Sequence, residues 1–346
     1  MLKSIHMLMI SFLVLMPLPA AGQEEVELEP VVVTASRIEE PLSQVSSSIT
    51  VITAEDIESQ RAVTVEEVLR NVPGLDVQTQ GSLGDQVVVR LRGAEIEHTL
   101  VLIDGIKVNS PFFAFYDFGD LLAENIERIE IVRGAQSALY GSEAIGGVIN
   151  IITKKGKGKS KFAILTEGGN NSTFREMAAL RGENDICDYS LSGSRTNSDG
   201  EVFNDVFREN SFSGRLNIGK SDNNSLQLIA RYLDSEKELP LDIIQFGPDD
   251  FQLLNDKNRM VERKLLANSI AYQQVFNPWW DVILHVSFVN SEVTENNPDI
   301  GDIGVNSMPP NNIEQSFDCT QRTMEIQNNF YISELNVLSL GFQAQS

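Results

Sequence analysis

The chain has 346 residues, enough for two ordinary domains, of which 42% are hydrophobic, and its mean hydropathy of −0.12 leaves no room for a bundle of membrane helices. That near-neutral average fits a soluble protein and equally a β-barrel, whose strands alternate lipid-facing and lumen-facing residues. A formal net charge of −22 opposes nucleic acid as a partner.

Residues 1–22 read as a secretory signal. Lys3 supplies the positive end, 7–16 an apolar core too short to span a bilayer, and Ala20-Ala21-Gly22 a small-residue cleavage site, so the mature chain is expected to begin at Gln23. The tail over 23–45 is acidic at first. It then runs into Glu29-Pro30-Val31-Val32-Val33-Thr34-Ala35. Three β-branched residues after a proline, near an unanchored terminus, predict an extended segment that can add itself to another protein's sheet edge. The plainer alternative is the first strand of the next domain.

Residues 46–153 carry mixed signals. Ile49 to Thr53 alternates as a strand, and Thr53-Ala54-Glu55-Asp56 has the capping pattern of a helix start. A second helix is expected from Thr64 to just before Pro73-Gly74. A strand is expected over Val87, Val89 and Leu91, ending at Gly93. Thr99 to Ile103 is followed by Asp104-Gly105, a pair that tolerates positive φ and so predicts a hairpin to Ile106. Further strands are expected at Ile129 to Val132 and Val148 to Ile152. The result is a small mixed sheet punctuated by glycine.

At these residues the chain resembles a known family. The blocks Asn71-Val72-Pro73-Gly74, Arg90-Leu91-Arg92-Gly93, Val101-Leu102-Ile103-Asp104-Gly105, Ile129-Glu130-Ile131-Val132-Arg133-Gly134 and Tyr140-Gly141-Ser142 through Thr153 resemble, in order, the plug domain of TonB-dependent outer-membrane receptors. Val101 to Asn109 and the compact spacing are most similar to the cobalamin-receptor branch. The resemblance implies that Glu29, Pro30, Val31, Val32, Val33, Thr34 and Ala35 form the TonB box, gripped as a strand by the periplasmic energy-coupling protein TonB. It also implies that the plug's apex loops face a small-molecule ligand, cobalamin or an iron complex. The candidate contacts are Ser82 and Leu83 in one loop and Asn109, Pro111, Phe112, Phe113, Phe115 and Tyr116 in the other. Packing as a lid on the core is the alternative for the aromatics.

Among charged residues, Arg90, Arg92, Arg128 and Arg133 lie near Glu95, Glu97, Glu127 and Glu130. Ion pairing within the plug or against a barrel wall is the expectation, with an anion site as the rival. Residues 154–160 form a basic linker, and Lys154 to Lys161 holds five lysines. Gly158-Lys159-Ser160 is not a phosphate loop, because the position needing the first glycine is Thr153.

From 161 to 346 the period changes to two. Alternating segments are expected at 161–167, 173–182, 186–194, 211–219, 225–233, 263–275, 280–291, 322–331 and 335–344, separated by Gly, Asn, Asp and Ser. Connections alternate between short turns and long polar loops at 197–210, 234–257 and 293–321, as in a transmembrane β-barrel. Pro278-Trp279-Trp280 falls at a short turn, where an interfacial aromatic girdle belongs. About nine strands cannot enclose a plug, since plugged barrels need about 22. The fold class expected is therefore an α+β plug followed by an incomplete antiparallel barrel, the chain being a fragment of a longer receptor. Cys187 and Cys319, in separate strands, make neither a disulfide framework nor a zinc site.

The acidic long loops allow calcium as a cofactor, with Asp199, Asp242, Asp249 and Asp250 as candidate ligands, solvated acidic loops being the ordinary reading. Three histidines and no nucleophile elbow, zinc helix or dinucleotide fingerprint give an enzyme little support. The expectation is a monomeric importer in contact with outer-membrane lipid, cobalamin first, with a ferric-siderophore or haem receptor as alternative and a passive porin or adhesin behind them.

Overall fold

The computed structural model describes residues 31–32, 34, 37–38, 40–45, 47–221, 223–247, 250–255, 258–297, 313–333 and 336–346. The expected signal at 1–22, Glu29, Pro30, Val33 and Ala35 of the expected coupling segment, and Asp249 lie outside the described residues.

The N-terminal part is built on short elements. β1 (Val31–Val32) pairs with β2 (Glu40–Pro41) in a two-residue ladder. β3 (Ser48–Thr53) leads directly into α1 (Ala54–Gln60), and α2 (Val65–Leu69) follows. Thr53 caps α1 as the sequence predicts: its hydroxyl accepts the Asp56 amide at 3.2 Å, while the Asp56 carboxylate accepts the Thr53 amide at 2.9 Å. Two donors with no partner inside the helix are satisfied at once. β4 (Leu75–Thr79) and β5 (Val87–Leu91) form a separate antiparallel pair.

β6 (Thr99–Ile103), β7 (Ile106–Lys107), β8 (Ile126–Arg133) and β9 (Gly147–Thr153) join β3 in a mixed sheet of order β3-β8-β9-β6-β7, and β6 and β9 run parallel. A four-residue helix, α3 (Ser137–Tyr140), lies between β8 and β9. Every residue of β6 and β9 is buried, which explains their unbroken apolar runs: both faces of the sheet are covered. On one face Val101, Ile103, Ile129, Ile131, Ile149 and Ile151 pack with Ile57, Val65 and Leu69 of the helices. On the other, Leu100, Leu102 and Val148 pack with Tyr140 and Ala144. The Asp104-Gly105 hairpin has φ of 52° and 81°, the left-handed pair its sequence called for.

Nine antiparallel strands follow in simple succession: β10 (Lys161–Gly168), β11 (Phe174–Glu183), β12 (Cys187–Ser198), β13 (Phe207–Ser221), β14 (Asn224–Glu238), β17 (Met260–Asn277), β18 (Trp280–Asn297), β19 (Ile313–Ser333) and β20 (Asn336–Gln345). Between β14 and β17 the chain makes a separate hairpin of β15 (Leu241–Gly247) and β16 (Asp250–Asn255), where a structureless polar loop was expected. Several strands also overrun their expected ends, β19 most of all. Pairing there continues with polar side chains on both faces, so backbone hydrogen bonds persist where the alternation of hydrophobicity has stopped.

The sheet wraps the small domain. Arg175 of β11 reaches Glu124 at 3.0 Å, Arg215 of β13 reaches Asp104, Arg263 of β17 reaches Asp117 at 3.1 Å, Glu325 of β19 meets Arg37, and Lys107 donates to Gln345 of β20 at 3.4 Å. The opposite face carries Phe162, Phe212, Ile270, Val286, Leu340 and Phe342, all exposed. At the short-turn end Trp280 stacks on Phe276, with ring centroids 4.3 Å apart, and lies parallel to Phe330 at 6.3 Å.

Candidate ligand cavity and coupling segment

A cavity of about 820 Å³ opens at the long-loop end, between the small domain and the strands. Its floor is the loop after β4 (Gln80, Ser82, Asp85) and the loop after β7 (Phe113, Phe115, Tyr116), and its walls come from β14, β17, β18 and β19. Both floor loops are held by their own polar groups. The Asp85 carboxylate accepts the Ser82 amide at 2.7 Å, closing a turn. Asn109 is buried and fully engaged: its carbonyl accepts the Val101 amide at 2.7 Å, and its amide donates to the Thr99 and Ala114 carbonyls at 3.0 and 3.2 Å. Asn109 therefore shapes the aromatic loop and offers nothing to a ligand.

The other candidate contacts divide. Ser82, Phe113, Phe115 and Tyr116 line the cavity. Phe112 is 60% exposed beside it, and its ring lies 4.6 Å from that of Phe317 on β19. Pro111 is exposed at the loop tip. Leu83 takes part through its carbonyl, which accepts Lys237 at 3.1 Å.

The sequence reading missed Lys237, Asp205, Asp120 and Phe317. Lys237, at the end of β14, has no accessible surface and donates to Ser82 Oγ at 2.8 Å and Asp205 Oδ1 at 2.6 Å. Ser82 Oγ donates in turn to Asp205 Oδ1 at 2.6 Å. This cluster fastens the apex loop to the strands. Burial works against the Asp205 charge, but the hydrogen bonds from Lys237, Ser82 and the Glu201 amide outweigh it and hold the carboxyl below its usual range. Burial raises the carboxyls of Asp85, despite nearby Lys237, and of Asp120, which accepts Ser235 Oγ at 2.8 Å.

Beneath the sheet lies the described part of the expected coupling segment. Thr34 is fully buried; its amide and hydroxyl donate to Glu130 Oε2 at 2.9 and 2.5 Å, and its hydroxyl accepts from Asn150 at 3.0 Å. Tyr140, whose hydroxyl is pushed up to about 12 by burial and so stays protonated, donates to the Thr34 carbonyl at 3.0 Å. Arg37 lies 4.3 Å over the Tyr140 ring. Glu130 and Asn150 belong to β8 and β9, so one threonine is tied to two central strands.

Among the described residues no three His, Cys, Asp or Glu side chains come close enough to hold an ion. The Asp199 amide caps the neighbouring turn through Asn171. Asp242 and Asp250 lie on β15 and β16.

Residues 41–148 match the TonB-dependent Receptor Plug Domain family. The chain thus contains a plug domain of the TonB-dependent receptor kind, and a sheet of antiparallel strands wraps around it. It is 40% identical over 162 residues to a vitamin B12 transporter, BtuB, of Photobacterium profundum, a match covering 47% of this chain and 26% of the relative. It is 38% identical over 194 residues to the BtuB of Vibrio vulnificus, covering 56% and 32%. The matched stretch is thus about a third or less of these relatives. Among solved structures, the pyoverdine outer membrane receptor FpvA of Pseudomonas aeruginosa superposes with a TM-score of 0.72 at 17% identity, covering 91% of this chain and 48% of that one. The ferric enterobactin receptor PfeA of the same organism gives 0.61 at 20%, covering 91% and 50%. These two show the fold.

Proposed function

We propose that the chain supplies the plug and part of the barrel wall of an outer-membrane importer that takes up a cobalamin with energy from TonB. The observation that carries the transport reading is the joint placement of two sites on one small domain. A ligand cavity lies above the plug sheet, and an extended segment is tied beneath it through Thr34. The outer membrane has no nucleotide supply, so uphill uptake must draw on the inner membrane, where each charge crossing 100 mV releases about 2.3 kcal/mol.

In this reading TonB adds a strand to the segment at 29–35 and pulls. The load passes from Thr34 to Glu130 and Asn150, hence to β8 and β9, which are central to the sheet. A pull there deforms the plug under the cavity and opens a path. The cobalamin assignment rests on the identity to proteins named vitamin B12 transporters. The siderophore receptors are similar in fold alone. The same proposal places calcium at the acidic outer loops carrying Asp199, Asp242, Asp249 and Asp250; the mechanism uses no step through it.

Deleting residues 30–35 separates the two sites. The expected result is cyanocobalamin binding as in the parent receptor and no uptake by cells; uptake that survives the deletion refutes the mechanism. Repeating the binding with calcium and with a chelator decides the metal: equal affinity in both removes calcium from the proposal.

A further inference from the structure

In a chain of net charge −22, one stretch is strongly basic: Lys154, Lys155, Lys157, Lys159 and Lys161 fall within eight residues. It joins the plug to the first long strand, and it is held against the wall. The Glu183 amide donates to the Gly158 carbonyl at 2.8 Å, and the Ser160 and Tyr189 hydroxyls meet at 2.6 Å. Gly156 passes so close to the strands that a Cβ there would fall 2.2 Å from the Gly182 carbonyl oxygen and 2.4 Å from that of Tyr189. The lysines are thus pinned beside the short turn between β11 and β12, at the end of the wall where Trp279 and Trp280 stand.

The plug answers only part of this charge. Lys154 pairs with Glu58 at 3.2 Å and Lys157 with Glu127 at 2.6 Å; the Glu127 carboxylate also accepts the Lys155 amide at 3.0 Å. Among the described residues no carboxylate stands within ion-pair distance of the Lys155, Lys159 or Lys161 ammonium groups. Lys159 and Lys161 are exposed, and Lys157 keeps 73% of its side chain exposed despite its pair.

An apolar surface begins directly beside them. Phe162 and Ile164 of β10 are each 67% exposed, and Ile186 in the β11–β12 turn is 69% exposed. Phe162 stands opposite Leu180 in register, and Arg181, the next residue, reaches Asn125 of the plug at 2.9 Å. Neighbours along a strand point to opposite faces, so Phe162 and Leu180 are turned away from the plug. Lysines at the rim of an exposed apolar belt, level with an aromatic turn, are placed as a bilayer surface requires: stems along hydrocarbon, ammonium groups among phosphates. A linker that needed only to be soluble would be served by the acids that dominate the rest of the chain.

We propose that residues 155–161 bind the headgroups of anionic phospholipids in the leaflet at the short-turn end, with Lys155, Lys159 and Lys161 as the charges that hold them. The inference rests on reading the strands as a membrane wall, and it is independent of the imported ligand. The linker is the covalent joint between plug and wall, so lipid held here steadies the joint while the segment at 29–35 is pulled.

The test places the whole receptor in nanodiscs of phosphatidylcholine, with and without phosphatidylglycerol, and follows amide exchange at 155–161. Phosphatidylglycerol is expected to slow exchange there about fivefold, the factor that about 1 kcal/mol for one lysine at an anionic surface supplies. High salt should erase the difference. The triple variant Lys155→Gln, Lys159→Gln, Lys161→Gln should exchange equally in the two bilayers, whereas arginine at the same three positions should keep the protection. Parent exchange that is equal in both bilayers overturns the lipid site, and protection that persists in the glutamine variant overturns its assignment to these lysines. Protection given by soluble polyglutamate and not by phosphatidylglycerol makes the patch a protein contact and also overturns the proposal. A receptor that inserts into neither bilayer overturns the membrane wall itself, which the other outcomes leave standing.

Discussion

Lys237 shows how much one side chain does in this molecule. It has no accessible surface, and its partner Asp205 is 1% exposed. Removing one member of such a pair strands the other charge, at a cost of about 3–5 kcal/mol. Lys237→Met is therefore expected to release the loop at 80–86, seen as faster amide exchange there, and adding Asp205→Asn should restore most of the protection; equal exchange in both variants refutes the pairing. The same cluster predicts an acid dependence. Asp205 is held below its usual range in the fold, so the stability it contributes is complete above its unfolded value of about 3.9 and disappears as pH falls through the lower folded value. Exchange at 80–86 should rise as pH drops below about 4, and Asp205→Asn should flatten that rise; a parent loop indifferent to acid contradicts the assignment. None of this was legible in the sequence. Asp205 and Lys237 stand in stretches that both read as long polar loops, and only the fold brings them to Ser82. The aromatics at 112–116 were legible as a group because four rings in one polar loop demand an explanation. Their partner Phe317 was hidden in a stretch taken for a long loop.

Single elements obey rules visible in short sequence windows. The capping box at Thr53, the Asp104-Gly105 hairpin and the apolar runs of β6 and β9 all follow from local chemistry, and the structure repeats them with little change. The nine long strands were legible through alternation only where one side meets the plug and the other lies outside. Above that zone β12, β14, β18 and β19 continue, and β15 and β16 form, on backbone pairing that leaves no hydrophobic period. Glycines show the same limit. Gly84 and Gly93 both have left-handed φ, 87° and 73°, but a Cβ on Gly84 would fall 2.1 Å from the Phe207 ring, whereas one on Gly93 meets nothing within 4 Å. Gly84→Ala should therefore destabilise apex docking by about 1–3 kcal/mol more than Gly93→Ala does on its own loop, the range for forced overpacking. Urea titrations of the two variants measure the difference, and equal losses mean that backbone strain alone is at work.

At the scale of the whole molecule the two domains are stabilised differently. The plug has its own apolar core on both faces of its sheet, while its contact with the strands combines ion pairs and hydrogen bonds from β11 to β20 with a small apolar cluster of Ile106 against Ile229, Ala267 and Val289. Such an interface fixes register while burying only a little hydrocarbon, which suits the proposed mechanism, in which the plug shifts within its wall under load. The strands draw on a third environment. Ile270 of β17 is 53% exposed and stands beside Leu228 of β14 and Val286 of β18 in register, on the face turned from the plug. A lipid bilayer is the surrounding that rewards such a surface, and it makes the cost of a charge depend on depth. Ile270→Arg should therefore destabilise the folded barrel by about 2–4 kcal/mol, whereas Asn277→Arg, at the turn beside Trp279, should cost about 0–1 kcal/mol. Urea unfolding of the receptor in bilayers, followed by the gel shift between folded and unfolded forms, compares the two. Equal costs would mean that this face meets water or protein, and the strands would then lose their role as a membrane wall.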